Sequence, residues 1–109
     1  MTKKIYIAGP YTYPDPAINV HKAIGAGDEL AKAGALVFIP HLTHFWHLLY
    51  PHRWQFWMDH DMGWLRGCDA VLRLPGASTG ADLEVMEAER LGLPVLCSVE
   101  ECLRWLREQ

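Results

Sequence analysis

The stretch Ser78-Thr79-Gly80-Ala81-Asp82-Leu83-Glu84 combines residue types and spacing that could do chemistry. It follows the apolar run Ala70-Val71-Leu72-Arg73-Leu74 and the breaker Pro75-Gly76. It opens a helical pattern that reaches Leu91, before Gly92 and Pro94. A strand that turns through Ser, Thr and Gly into a helix leaves unpaired backbone N–H groups facing outward, and such groups hold anions. Glu84 is expected in the first turn of that helix. At about 100° per residue it falls between Leu91 and Ala88, while Asp82, Glu87, Glu89 and Arg90 fall outside that sector. Two readings of Glu84 are open on this segment alone. It is a helix cap that complements the dipole, or a carboxylate placed for reaction on the packing face.

A second carboxylate shares the same oddity. Arg53 to Gly67 reads as a helix, and Asp61 has Trp57 and Met58 one turn before it and Trp64 and Leu65 one turn after. These i±3 and i±4 neighbours put Asp61 on an apolar face, with Asp59 and His60 expected on the surface. An unpaired buried carboxylate is costly, so two of them on core-facing stripes call for partners or a function.

The elements that position these groups alternate between strand and helix. Ile5-Tyr6-Ile7-Ala8 is a short β run ending at Gly9-Pro10. Asn19 to Ala33 carries Val20, Ala23, Ile24, Leu30 and Ala31 at helical spacing, and Gly34 ends it. Ala35 to Ile39 is the next strand, stopped by Pro40, and a long loop from His41 to His52 precedes the Asp61 helix. Then come the strand Ala70–Leu74, the Glu84 helix, the strand Pro94–Cys97 and a last helix from Val99 to about Arg107. Strands alternating with helices imply an α/β fold: a small doubly wound, Rossmann-like parallel sheet with helices on both faces. Ligands in such sheets lie beyond the carboxyl ends of the strands. Gly9-Pro10-Tyr11-Thr12, His41 with His44, and Pro75 to Gly80 all open on that rim.

Composition narrows the function. The 109 residues, 50% of them apolar, make one domain over 1–109 with a single core. A net charge of −3 opposes a polynucleotide-binding surface, and the lone basic pair Lys3-Lys4 reads as the solvated start of a strand. No apolar stretch approaches a membrane span, and Met1 leads directly into Lys3-Lys4-Ile5-Tyr6-Ile7 with no cleavable signal. Cys68, Cys97 and Cys102 are too few and too irregular for a disulfide or zinc framework; they are expected as reduced, buried thiols of a cytoplasmic protein.

The chain resembles the nucleoside 2-deoxyribosyltransferase superfamily, including its nucleoside 5'-monophosphate N-glycosidase branch. The resemblance rests on three parts: Ile5-Tyr6-Ile7-Ala8-Gly9, Asp61 with Asp69 eight residues on, and Ser78-x-Gly80-x-x-x-Glu84-x-x-x-Ala88. It runs from Lys4 to about Ser98. It implies an enzyme in which Glu84 attacks the anomeric carbon and Asp61 handles the base or a sugar hydroxyl. Ser78 and the Gly9 loop, with Tyr11 and Thr12, would hold the 5' end. The transferase branch that acts on free nucleosides has Asp at the place of Ser78. A serine donates to phosphate without like-charge repulsion, so Ser78 favours a nucleotide. The Gly9 loop departs from the pattern in lacking an arginine found in some relatives. Backbone N–H groups, Thr12, Ser78, Gly80 and a histidine, His41 or His44, would then hold phosphate.

The chemistry fits the residue types. Breaking an N-glycosidic bond passes through an oxocarbenium-like state that a carboxylate stabilises or traps. Glu84 must be ionised for this, which a helix N-terminus favours, and Asp61 must hold a proton, which apolar surroundings favour. Phe45, Trp46, Tyr50, Trp54, Phe56, Trp57 and Trp64 form core or subunit contacts, or one or two of them stack on a base, with Phe45 and Trp46 the better placed. His41, His44 and His47 have no carboxylate or Cys nearby to complete a metal site, so no metal or other cofactor is expected. Three functions compete: a nucleotide N-glycosidase or deoxyribosyltransferase; a relative of phosphoribohydrolases with a Pro-Gly-Gly turn, whose glycine spacing Ala77-Ser78-Thr79-Gly80 lacks; and a nucleotide sensor. Five tryptophans in so short a chain lead to the expectation of a homodimer or larger homo-oligomer.

Overall fold

A computed structural model describes residues 1–109. Four parallel strands, β1 (Lys4–Ala8), β2 (Leu36–Phe38), β3 (Ala70–Arg73) and β4 (Val95–Leu96), form one sheet in the order β2-β1-β3-β4. The helices are α1 (Pro16–Lys32), α2 (His44–Leu49), α3 (Trp54–Leu65), α4 (Thr79–Arg90) and α5 (Val99–Arg107). The chain steps from β1 outward to β2 and then back across to β3, so the strand order reverses between β1 and β3. That reversal opens a crevice above their carboxyl ends.

Alternation along β1 divides the core into two layers. Ile5 and Ile7 pack with Ala23, Ala26 and Leu30 of α1, Leu72 of β3 and Cys102 of α5. Tyr6 and Ala8 face the opposite way, onto Val71, Leu65 of α3 and Ala81 and Ala88 of α4. Helices therefore cover both faces, as the doubly wound reading requires.

Element ends differ from expectation for local reasons. Helix α1 begins at Pro16, three residues before Asn19, because Asp15 caps it by accepting from Ala17 N–H at 2.8 Å and Ile18 N–H at 3.2 Å. Proline at the first helical position is favourable, although it also reads as a loop signal. The expected loop from His41 to His52 is largely helical. Pro40–Thr43 forms a 3₁₀ turn that runs directly into α2, and only Tyr50 to Arg53 is irregular. No glycine or proline interrupts 41–50, and Pro40 starts the turn with its φ already set. Strand β1 starts one residue earlier than expected, and β2, β3 and β4 are shorter than expected by one or two residues, as is common at element ends. The expectation of buried thiols holds for Cys102 alone: Cys68 is half-buried and Cys97 exposed, all three being free. No helix is long and apolar enough to cross a membrane.

Candidate active site

Above the β1/β3 reversal lies a cleft of about 430 Å³, within the range of small-molecule sites. Its walls come from the Gly9–Tyr13 segment after β1, the Pro40–Thr43 turn after β2, the Ala77–Ala81 segment after β3, and the inner faces of α3 and α4. Glu84 and Asp61 both line it and are buried, at 5% and 7% exposure. Both carboxylates thus turn inward, as their positions on the helical wheel predict.

Two glycines let these walls close. Gly76 has φ +116°, a conformation that side chains rarely adopt, and a Cβ there would lie 2.8 Å from Pro10 Cγ. It fits the β3 loop against the β1 loop. Gly80 faces α3, where a Cβ would meet Met58 Sδ at 3.3 Å and Trp54 Nε1 at 3.9 Å. A side chain at 80 would crowd Met58, so glycine there lets α4 lie close against the Met58 and Trp54 side chains of α3. Arg73 braces the same loop, bonding Asp82 at 2.9 Å and the Gly76 carbonyl at 3.0 Å.

Ser78 is the N-cap of α4, its Oγ accepting from Ala81 N–H at 3.1 Å. That leaves the Ser78 hydroxyl proton free to donate, beside the Thr79 and Gly80 N–H groups that begin the helix. Glu84 is one turn further along than expected. The first-turn acid is Asp82, and position three of the helix, where a capping glutamate would reach back, is Ala81. Glu84 is therefore no cap, and the helix dipole does little for it, since that effect fades within the first turn.

A residue not singled out in the sequence completes the pair. The Tyr6 hydroxyl donates to Glu84 Oε2. Tyr6 is fully buried; its ring stacks on Phe38 at 5.5 Å, and Phe38 stacks on Trp64 at 5.3 Å. The signal was present: a tyrosine in a core strand needs a partner for its hydroxyl, and its parity puts it on the Glu84 side.

Burial sets the charge states. It pushes Glu84 from the ordinary 4.5 up to about 8, with the Tyr6 hydrogen bond and Arg73 opposing and the Asp61 charge adding to the rise. The expectation of a readily ionised Glu84 is corrected accordingly: desolvation outweighs the helix N-terminus. Burial also raises Asp61, opposed by His60, whose Nδ1 lies 3.2 Å from Asp61 Oδ1. His60 is thus half-buried beside the site rather than on the open surface. Asp59, exposed and bonded to Gln55, is an ordinary surface residue.

Gly9, Tyr11, Thr12, His41, Ser78 and Gly80 all line the cleft. His44 does not; it acts at one remove, its Nδ1 bonded to the Tyr11 hydroxyl. His41 is buried and bonded through Nε2 to the Pro10 carbonyl at 3.0 Å, and burial lowers its pKa. It is a neutral brace for the β1 loop, and nothing here equips it as a cation for phosphate. The aromatic expectation is corrected as well. Phe45 and Trp46 stay outside the cleft, while Trp54 and Trp57 of α3 line it together with His47 and His52. Helix α2, read as loop, turns Phe45 outward. No three His, Cys, Asp or Glu side chains come together as metal ligands, His41, His44 and His47 each pointing to a different partner.

The fold is that of a known enzyme. The 2-deoxyribosyltransferase of the psychrotolerant bacterium Bacillus psychrosaccharolyticus superposes with a TM-score of 0.64, at 22% identity, over 84% of this chain and 69% of that one. No curated protein matches the sequence. Residues 3–97 match the family model described as a domain of unknown function, DUF4406. That match takes in both carboxylates, Tyr6, Ser78 and every wall of the cleft, and the chain belongs to the DUF4406 family.

Proposed function

We propose that this protein is an enzyme that cleaves the N-glycosidic bond of a nucleoside 5'-monophosphate, releasing the base and a sugar phosphate. The observation that carries this reading is the buried pair Glu84 and Asp61 on one cleft, with Tyr6 bonded to one oxygen of Glu84. Tyr6 occupies Oε2, and Oε1 is left to attack the anomeric carbon as the carbon–nitrogen bond breaks and its electron pair leaves with the base. Asp61, whose affinity for a proton burial raises, is the group placed to give a proton to that base. Water then attacks the sugar–Glu84 ester and Asp61 recovers the proton.

Phosphate would sit at the Ser78 turn, taking hydrogen bonds from the Ser78 hydroxyl and the Thr79 and Gly80 N–H groups. The base would lie toward Trp54 and Trp57. A second reading keeps the same site and replaces water by another base, giving sugar transfer. It is favoured by the likeness in fold to a 2-deoxyribosyltransferase. Three of the tryptophans, Trp46, Trp54 and Trp64, remain 43–57% exposed, which supports a homo-oligomer. Light scattering at assay concentration checks that, an active monomer being the contrary result.

The deciding experiment incubates the protein with a panel of nucleosides and their 5'-monophosphates, with and without free bases, and follows base release by chromatography. Free base from monophosphates alone supports hydrolysis. A new nucleotide formed only when a second base is added supports transfer. Binding without release from any compound would overturn the enzyme and leave a sensor.

A further inference from the structure

The aromatic end of the cleft carries a hydrogen-bonding device that the reaction chemistry does not use. Two N–H groups converge on one nitrogen of His47. The Trp57 indole N–H reaches Nδ1 at 2.8 Å, and the backbone N–H of His52 reaches it at 3.3 Å. A nitrogen that accepts cannot carry a proton, so the ring's hydrogen is confined to Nε2. Nε2 has no protein partner, and His47 lines the cleft beside His52, Trp54 and Trp57. The ring is held edge-on to Trp57, centroids 5.8 Å apart and planes 75° apart, so it cannot turn without giving up the Trp57 bond.

We infer that His47 reads the base: its Nε2–H is a fixed donor that selects nucleobases presenting a carbonyl oxygen over those presenting an amino group at the same position. This deepens the proposed glycosidase and rests on it. A carbonyl accepts from Nε2–H. An exocyclic amino group turns its own N–H groups toward the donor, and one of the two groups is then left without a partner in a half-dry site. A site built around one hydrogen bond rejects the wrong partner by the cost of that unpaired group, which here corresponds to about tenfold. Trp57 is a positioning residue in this scheme, since it acts only through the His47 tautomer.

Two matched pairs test the inference, inosine against adenosine 5'-monophosphate and deoxyuridine against deoxycytidine 5'-monophosphate. Binding of all four to the Glu84→Gln variant is measured by calorimetry, so that turnover does not intervene. The expected result is about tenfold tighter binding of the oxo member of whichever pair fits. His47→Gln, whose amide can donate or accept, should bring that ratio close to one by strengthening binding of the amino member. A merely structural role for His47 would weaken both members alike and leave the ratio unchanged, which would overturn the inference. Equal binding of oxo and amino members by the parent variant would overturn it too, with the glycosidase untouched. Failure of all four to bind, together with no base release by the wild type, would remove the glycosidase and this reading with it.

Discussion

Ile5 and Ile7 look toward α1 and α5, into a layer where every buried cluster member is apolar. Tyr6, between them on the same strand, looks toward α3 and α4, where a hydroxyl and two carboxylates are buried together. One strand thus serves two layers of opposite character. The first gains stability from apolar area removed from water, while the second gives up stability to keep ionisable groups dry. A protein whose folding depends on the first layer can tolerate buried ionisable groups in the second, and that is where the proposed reaction is placed.

The largest expected effect falls on the polar layer. Glu84→Gln should lower base release by about a thousandfold or more while keeping the fold and nucleotide binding, because a nucleophile acts on the chemical step. Chromatographic assay of base release decides it. Near-normal turnover would remove Glu84 from the reaction and the contrast between the layers with it.

The same substitution should make the protein more stable. The folded-state pKa of Glu84, about 8, lies above its ordinary 4.5. Between those values the unfolded chain releases a proton that the folded chain keeps, so wild-type stability falls as pH rises through that window. At about 1.4 kcal/mol per pH unit, Glu84→Gln should gain on the order of 5 kcal/mol over wild type above about pH 8, and almost nothing near pH 4.5. Denaturant titrations of both proteins at pH 5 and pH 8.5 measure the difference. A constant gap would mean that Glu84 does not titrate in this window. The rate should follow the opposite course: kcat/KM rises with pH toward about 8 as Glu84 ionises, the pair with Asp61 setting the apparent value.

The apolar layer gives the complementary experiment. Leu30 is fully buried among Ile5, Ile7 and Leu72, and Leu30→Ala should cost about 3 kcal/mol in urea unfolding while kcat stays unchanged below the transition. A fall in kcat equal to that from a cleft variant would show that the layers are coupled.

Much of this contrast was legible in the sequence, through periodicity. The wheel positions of Glu84 and Asp61 turned both carboxylates inward, and alternation of strands and helices predicted the parallel sheet. What stayed hidden depended on contacts between distant segments. Tyr6 reads as an ordinary β residue until α4 is laid across β1 and its hydroxyl meets Glu84, 78 positions away in sequence. The helix at 44–49 was missed because its aromatic and histidine residues are indifferent helix formers, and tertiary packing on Phe56 and Trp57 decides their conformation. With α2 formed, Phe45 and Trp46 lie outside the cleft, and Trp54 and Trp57 line it instead. The rise in Glu84's pKa was likewise misjudged, since sequence fixes the distance to a helix end only to within a turn and says little about desolvation.

Within the polar layer, the α4 end can be sharpened next. Two or three hydrogen bonds from the Ser78 turn, each about 1.5 kcal/mol when charge-assisted, predict at least a hundredfold preference for a 5'-monophosphate over its nucleoside. Ser78→Asp keeps an N-cap acceptor for Ala81 N–H but sets a carboxylate against phosphate, so the preference should reverse. Equal kcat/KM for both substrates in the wild type would end the nucleotide reading and leave the glycosidase.

The smallest effect is the most selective. Asp61 lies on the same buried cleft as Glu84 and is held by a single bond to His60; burial raises its pKa, and the His60 contact opposes that rise without reversing it. A carboxyl whose proton affinity is raised by burial is better suited to give a proton, and proton donation matters most when the base leaves poorly. Asp61→Asn should therefore slow release of poor leaving groups about tenfold more than release of good ones, measured as kcat across nucleotides whose bases differ in basicity. The asparagine keeps the volume and the polar contact to His60, so a packing defect should slow every substrate alike. Uniform slowing would assign Asp61 to holding the sugar, and the polar layer would then contain one reacting carboxylate supported by Tyr6 and a neighbour that only binds.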